Sequence, residues 1–143
     1  LVLTPAICIA AALVGFGGAL RYLCFREMGS NFTYTVAILE NHRLTTSGPY
    51  SIVRHPSYTA LCCVHVGCLL WFSAPGIWLG ESELYGKVGT WIILIPLLWR
   101  TLAAFQMFWK RIPVEDGLMR KQFGSQWDAW AARVPYRLIP GVY

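Results

Sequence analysis

The stretch "GPYSIVRHPSY" contains side chains that could bind a charged ligand. Arg54 and His55 come directly before Pro56, which suits the first turn of a helix because its missing amide hydrogen would be unsatisfied there anyway. Amides at a helix start attract anions, and the rings of Tyr50 and Tyr58 could stack on a flat or cationic group. The stretch indicates either a ligand site or an interfacial belt in which Arg54 reaches lipid phosphates.

A second polar group, in "WKRIPVEDGLMRKQFG", directly follows a long apolar run. Arg111 and Glu115 are four residues apart and would share a face of a continuous helix, although Pro113 is expected to make its first turn irregular. Alone, such a pair is typical of a surface ion pair. Together with Asp116 and the first group, it favours a polar pocket below apolar helices.

Membrane-spanning helices are the elements that must position these groups. Of the 143 residues, 56% are hydrophobic and only 13% are charged, whereas soluble domains are roughly one-quarter charged. Three runs, about residues 1–20, 58–80 and 88–109, approach the roughly 20 apolar residues that cross a bilayer. The first could instead be a signal-peptide core, but it lacks a basic leader. We therefore predict an all-α, multi-span transmembrane helical bundle in a single domain.

The basic residues predict which side of the membrane the polar groups face. Three crossings put residues 21–56 and 110–143 on one side, together with ten of the twelve Lys and Arg residues. Such residues favour the cytosol, so both polar groups are expected there. The net charge of +5 is explained by this asymmetry and by contact with the lipid bilayer. No nucleic acid partner is needed to account for it.

The segment after the third run has the pattern of an amphipathic helix. In "VEDGLMRKQFGSQWDAWAARV", apolar residues recur at three- and four-residue steps with charged residues between them. We expect a cytosolic C-terminal amphipathic helix that lies on the membrane or folds back on the bundle. Gly124 should weaken this helix and Pro135 should end it.

The five cysteines predict neither a disulfide framework nor a metal site. An odd number of cysteines in a chain with a reducing cytosolic side argues against disulfides. Cys62, His65 and Cys68 fall at i, i+3 and i+6, but no second cluster completes a tetrahedral site. Packing of small residues between helices is the favoured interpretation, and no metal is expected.

Two motifs taken in order, "NHRLTTSGPYSIVRHPSY" and "RIPVEDGLMRKQFGSQWDAWAARVPYRLIPGVY", resemble the isoprenylcysteine carboxyl methyltransferase family of integral membrane methyltransferases. The resemblance covers about residues 31–143 and is specific, because both motifs occur in the right order and each adjoins a span. It implies that spans upstream of this sequence are missing. It also implies an S-adenosylmethionine cofactor and a place in the endoplasmic reticulum membrane with the active site facing the cytosol.

The resemblance also implies roles for individual residues. Arg111 is expected to be the catalytic residue placed against the substrate, and Glu115 is expected to contact the cofactor. The family often has a second glutamate at the position of Asp116, so the role of Asp116 stays open. The other expected cofactor-binding residues are His42, Arg43, Leu44, Thr45, Tyr50, His55, Pro56, Ser57 and Tyr58.

The implied reaction is methylation of the C-terminal carboxylate of a prenylated cysteine in proteins that carry a CaaX signal. The donor is an activated sulfonium and the acceptor is already ionised, so no strong general base is needed. Catalysis could come from holding the reacting atoms in line, with Arg111 orienting the carboxylate. The alternatives are a phospholipid or other small-lipid methyltransferase, a sterol reductase-like enzyme using a nicotinamide cofactor, and a non-enzymatic membrane scaffold.

Overall fold

The computed structural model describes residues 3–29, 43–74 and 86–142, with side chains from residue 89 onward in the last range. His42 lies outside the described residues. Within these ranges the chain is helical and has no strand, which confirms the predicted all-α class. The elements are α1 (Pro5–Met28), a 3₁₀ helix (Gly48–Ser51), α2 (Pro56–Ser73), α3 (Gly86–Phe123) and α4 (Ser125–Arg133).

Three helices among the described residues, α1, α2 and α3, are long and apolar enough to cross a membrane. This confirms the prediction of a bundle with several spans. With 38 residues, α3 is about 57 Å long, roughly twice the ~30 Å hydrocarbon core of a bilayer. The C-terminal part of α3 therefore extends beyond the apolar layer and can carry charged side chains.

Local sequence explains where the first two long helices begin. The hydroxyl of Thr4 accepts a hydrogen bond from the amide of Ile7 at 3.4 Å, and Pro5 occupies the first helical position of α1. Helix α2 begins at Pro56, as the sequence predicts, with His55 at the N-cap. Proline is accommodated at both starts because no intrahelical partner exists there for an amide hydrogen.

The segment predicted to be one amphipathic helix is divided between two elements. Its first half continues α3 without interruption through Pro113, and its second half is α4. The first half of the predicted amphipathic helix is therefore continuous with the third apolar helix. A proline inside a helix removes one backbone hydrogen bond, and here the ion pair between Arg111 and Glu115 bridges the gap. The break falls at Gly124, where a φ of 52° suits glycine.

Helices α1 and α2 approach each other closely at two glycines. A Cβ atom on Gly17 would lie 2.6 Å from the carbonyl oxygen of Ala60. A Cβ atom on Gly67 would lie 2.8 Å from Cγ2 of Val14. Neither position has room for a larger residue, and small residues of this kind allow close packing of membrane helices. The pair α1–α2 therefore forms a tight frame, and α3 packs against α2 as well.

A small apolar core closes the end of the bundle where the polar groups lie. Trp127 and Trp130 of α4 pack with Cys24 of α1 and Tyr50 of the 3₁₀ helix. The indole nitrogen of Trp130 donates a hydrogen bond of 3.2 Å to the carbonyl oxygen of Tyr50, so this buried donor is satisfied. The core holds α4 against the other helices and directs the chain that follows it.

The chain after α4, residues 134–140, is called here the C-terminal segment, and it crosses the start of α2. The amide of Arg54 donates to the carbonyl oxygen of Tyr136 at 2.9 Å, and the amide of His55 donates to that of Arg137 at 2.8 Å. These two bonds fix the register of the segment against the motif. They also bring the side chain of Arg137 beside the start of α2.

Candidate active site

The two polar groups identified in the sequence meet at the start of α2. The hydroxyl of Tyr58 donates to Oε1 of Glu115 at 2.5 Å, although the two residues are 57 positions apart. Nδ1 of His55 lies 3.6 Å from Oε2 of the same carboxylate, and Nε of Arg111 lies 3.4 Å from Oε1. The Glu115 carboxylate is therefore the centre of a cluster that joins both motifs.

Asp116 forms a second centre beside the first. Its Oδ1 lies 2.9 Å from Nε2 of His55, and its Oδ2 lies 3.2 Å from Nε of Arg137 and 3.5 Å from Nη1 of Arg54. The residue is only 7% exposed. Asp116 thus connects α3 with the N-cap of α2 and with the C-terminal segment, which gives this position a structural role that the family resemblance left open.

His55 is held between the two carboxylates. Burial alone would lower the pKa of His55, but the hydrogen bonds and negative charges of Asp116 and Glu115 raise that pKa above its ordinary value. A protonated imidazole can donate from both ring nitrogens, which matches a ring with a carboxylate on each side. The cluster therefore favours the cationic form of His55, which has no lone pair with which to accept a proton.

Positive charge exceeds negative charge in this cluster. Among the described residues, three arginine side chains contact its two carboxylates, and the imidazole between them adds to the excess. These arginines are Arg54, Arg111 and Arg137. A partly buried excess of positive charge attracts anions and repels cationic acceptors. The arrangement is thus suited to an anionic group bound next to it.

The phenol of Tyr50 lies in the apolar core and not in this cluster. Its hydroxyl donates to Sδ of Met28 at 2.9 Å, and the residue is 8% exposed. Burial raises the pKa of Tyr50 above its ordinary value, so the phenol stays neutral. In this arrangement Tyr50 supports the 3₁₀ helix that precedes α2, and its contact with a cofactor stays a prediction.

The structure brings four of the predicted site residues into direct contact: His55, Tyr58, Arg111 and Glu115. The others occupy different surroundings. Leu44 packs against the apolar core, and Arg43 is exposed. Thr45 and Ser57 are partly buried, and Pro56 is fully buried at the start of α2. Their contact with a cofactor stays a prediction.

Sequence reasoning missed three side chains that adjoin the cluster. Arg137 is one of them, and its position depends on how the chain turns back after α4. The ring centroid of Phe108 lies 4.9 Å from that of Tyr58. Arg21 donates to Oγ of Ser57 at 2.5 Å. Of the three, Arg21 had the clearest sequence signal, because it is the first charge after the uncharged N-terminal run.

The fold and the cluster define a class of protein: a helical membrane protein with a positively charged polar site at the end of its spans. The model of the isoprenylcysteine carboxyl methyltransferase family matches residues 9–79, which include the first motif. The chain is therefore a relative of that family, and the resemblance carried by the two motifs is confirmed.

Curated relatives extend the similarity over most of the chain. Protein-S-isoprenylcysteine O-methyltransferase B of Arabidopsis thaliana is 30% identical over 128 residues, which are 86% of this chain and 54% of the relative. The protein-S-isoprenylcysteine O-methyltransferase of Xenopus laevis is 32% identical over 141 residues, 94% of this chain and 41% of the relative. The protein-S-isoprenylcysteine O-methyltransferase of Schizosaccharomyces pombe is 29% identical over 128 residues, which are 88% of this chain and 46% of the relative. The chain thus spans about half the length of the curated relatives it matches.

Proposed function

We propose that this chain carries the site of an S-adenosylmethionine-dependent methyltransferase that methylates the C-terminal carboxylate of a prenylated cysteine. The observation that carries the proposal is the cluster in which Tyr58 and His55 of one motif contact Glu115 of the other. The names of the relatives and the excess positive charge beside Glu115 both support a carboxylate as the acceptor.

The methyl donor carries hydroxyl groups as well as its sulfonium. The side chain of Glu115 is 22% exposed, so its carboxylate can accept hydrogen bonds from such hydroxyl groups. The ring of Tyr58 adds an aromatic face beside that carboxylate. Glu115, Tyr58 and His55 would hold the donor, together with the residues around the start of α2. When bound, S-adenosylmethionine would supply a methyl group that is already activated for transfer.

Arg111 would position the carboxylate of the acceptor. Its contact with Glu115 at 3.4 Å orients the guanidinium toward the place where the donor would bind. A guanidinium can hold a carboxylate through two parallel hydrogen bonds, which fixes one oxygen for in-line attack. Partial exclusion of water by the surrounding helices would strengthen this electrostatic contact.

The protonation state of the cluster favours a carboxylate over an amine as the acceptor. An amine, as in a phospholipid headgroup, must lose a proton before or during attack, and this requires a base. The raised pKa of His55 favours its protonated form, which cannot serve as that base. A carboxylate is already ionised at neutral pH and needs no base.

A prenylated acceptor would explain why the chain has membrane-spanning helices. A tail that partitions into lipid would bring the acceptor to the end of the spans, while a soluble donor would come from the aqueous side. We propose the cytosolic side, because the basic residues concentrate there under the positive-inside rule. The endoplasmic reticulum membrane follows from the family resemblance and belongs to the same proposal.

The proposal is tested by methyl transfer in a purified preparation of the chain. Radiolabelled S-adenosylmethionine is supplied with a farnesylated cysteine analogue or, in parallel, with phosphatidylethanolamine. We expect transfer to the prenylcysteine only. Arg111→Ala should lower turnover by about 100-fold, because misplacement of a reacting group by about 1 Å has an effect of this size.

Arg120→Ala is the matched control, since Arg120 lies on the same helix but is 65% exposed and pairs with Asp128 outside the cluster. It should keep wild-type turnover. Transfer to the phospholipid alone would replace the acceptor in the proposal. Equal turnover by wild type and Arg111→Ala would contradict the role of Arg111, and a folded wild-type protein that binds no donor would refute the proposed activity.

A further inference from the structure

Arg21 is a cation inside a helix that is apolar enough to span a membrane. It lies about two turns before the end of α1 at Met28, and its side chain is partly buried. A partly buried charged side chain is unfavourable unless it meets a partner or water. The contacts of Arg21 therefore bear on what it does.

Both contacts of the Arg21 guanidinium are to neutral groups. Nη1 donates to Oγ of Ser57 at 2.5 Å, and Cζ lies 4.7 Å from the ring centroid of Phe25. No ion pair joins Arg21 to an acidic side chain in the ranges that the structure describes. A guanidinium has five N–H donors, and these two contacts leave its charge uncompensated.

The position of Arg21 places this charge beside the proposed active site. Ser57 directly precedes Tyr58, whose hydroxyl donates to Glu115. Helix α2 packs against both α1 and α3, so Arg21 and Arg111 approach the start of α2 from two different helices.

We propose that Arg21 and Ser57 form a carboxylate-binding site at the junction of α1 and α2, an inference that rests on the proposed methyltransferase function. The Ser57 hydroxyl fixes one edge of the guanidinium, and the Phe25 ring supports its face. The remaining donors of Arg21 match a carboxylate, which accepts two parallel hydrogen bonds. Such a ligand would neutralise the charge that the described side chains leave unbalanced.

Two ligands of the proposed reaction carry a carboxylate. One is the methyl donor, through its amino-acid moiety, and the other is the prenylcysteine acceptor. The chemistry at Arg21 is the same for both, so the experiment distinguishes them by removing one carboxylate at a time. S-adenosylmethionine is compared with its decarboxylated form, and a farnesylcysteine analogue is compared with its methyl ester.

Binding of these four compounds is measured for the wild type and for Arg21→Gln. If the donor carboxylate is bound, Arg21→Gln should weaken S-adenosylmethionine binding by about 10- to 100-fold, the range for a charge-assisted hydrogen bond. Binding of the decarboxylated donor should not change. If the acceptor carboxylate is bound, farnesylcysteine binding should fall by a similar factor while binding of its ester stays constant. Either pattern supports the site.

Arg133→Gln is the control. Arg133 is an exposed arginine in the last turn of α4. It should leave all four affinities unchanged. Ser57→Ala should weaken the same carboxylate ligand only about 3- to 10-fold, as expected when a neutral hydrogen bond is lost.

Arg21→Lys keeps the charge without the planar fork, and it should retain part of the affinity that Arg21→Gln loses. If Arg21→Gln does not fold, the same binding comparison is made with Arg21→Lys. The carboxylate site alone would be overturned by one result. In that result the wild type is active, and the Arg21 variants prefer each carboxylate compound over its neutral counterpart by the same factor as the wild type does. A folded wild type that binds neither donor nor acceptor would overturn the proposed function and this site with it.

Discussion

Asp116→Asn tests whether the second carboxylate centre holds the site together. The substitution keeps the volume of the side chain and removes its negative charge. It leaves Arg54, Arg137 and His55 close together around a neutral amide. The amide nitrogen would also be a donor facing other donors. We therefore expect the folded state to lose stability, because a buried positive cluster loses its counter-ion.

The size of the effect follows from how exposed the partners are. The side chains of Asp116, His55 and Arg54 are 10%, 11% and 11% exposed, and removing one member of a buried ion pair costs about 3–5 kcal/mol. The ion pair with Arg137 adds little to the expected loss of stability, because the side chain of Arg137 is 32% exposed and its charge is screened by solvent. We expect a loss of about 3 kcal/mol and a Tm lower by about 10 °C for a chain of this size.

Thermal unfolding in detergent, followed by tryptophan fluorescence, measures this change. Asp128→Asn is the matched control, because it makes the same chemical change in a solvent-exposed ion pair. The side chain of Asp128 is 49% exposed, and that of its partner Arg120 is 65% exposed. That control should alter the free energy of unfolding by less than about 1 kcal/mol. Equal Tm values for the two variants would refute the reasoning, since they would mean that the Asp116 cluster is as well solvated as the surface pair.

Two further predictions concern protonation and helix packing. The folded state raises the pKa of His55, so the contribution of His55 to stability is complete below about pH 6.5 and is lost as pH rises through the folded-state pKa. Thermal unfolding measured between about pH 6 and 9 should therefore show a Tm that falls as pH rises. His55→Gln should remove this pH dependence of the Tm. Gly17→Ala should cost about 1–3 kcal/mol, because its Cβ would meet the Ala60 carbonyl oxygen. Gly18→Ala meets nothing within 4 Å and should stabilise by about 0.5–1 kcal/mol, so equal Tm shifts for the two variants would contradict the packing.

Much of the fold could be predicted because it depends on local chemistry. Uncharged runs of sufficient length predict spans, and the position of Pro56 predicts where α2 begins. The four-residue spacing of Arg111 and Glu115 predicts their contact on one helix face, which the structure contains at 3.4 Å. Pro113 lies inside α3, so the continuity of the helix there depends on flanking residues and not on the proline alone.

The site was harder to predict, because its contacts join distant parts of the chain. No local pattern indicates that His55 lies between Glu115 and Asp116, since that arrangement depends on how α2 and α3 pack. The motif predicts that Tyr50 contacts a ligand, which stays a prediction, and its core contacts with α4 could not be predicted from the motif. Polar residues in a motif can thus support a site from within the core.

The turn at Gly124 explains how a C-terminal arginine reaches a carboxylate on α3. From Asp116 to the end of α3 the helix advances about 10 Å, and the nine residues of α4 cover about 13 Å. An outward helix and a returning helix of similar length bring the C-terminal segment back to the level of Asp116. The ion pair between Arg137 and Asp116 closes this loop at 3.2 Å. The extension of α3 beyond the apolar layer is therefore part of the site, because it carries both carboxylates and sets the length over which the chain must return.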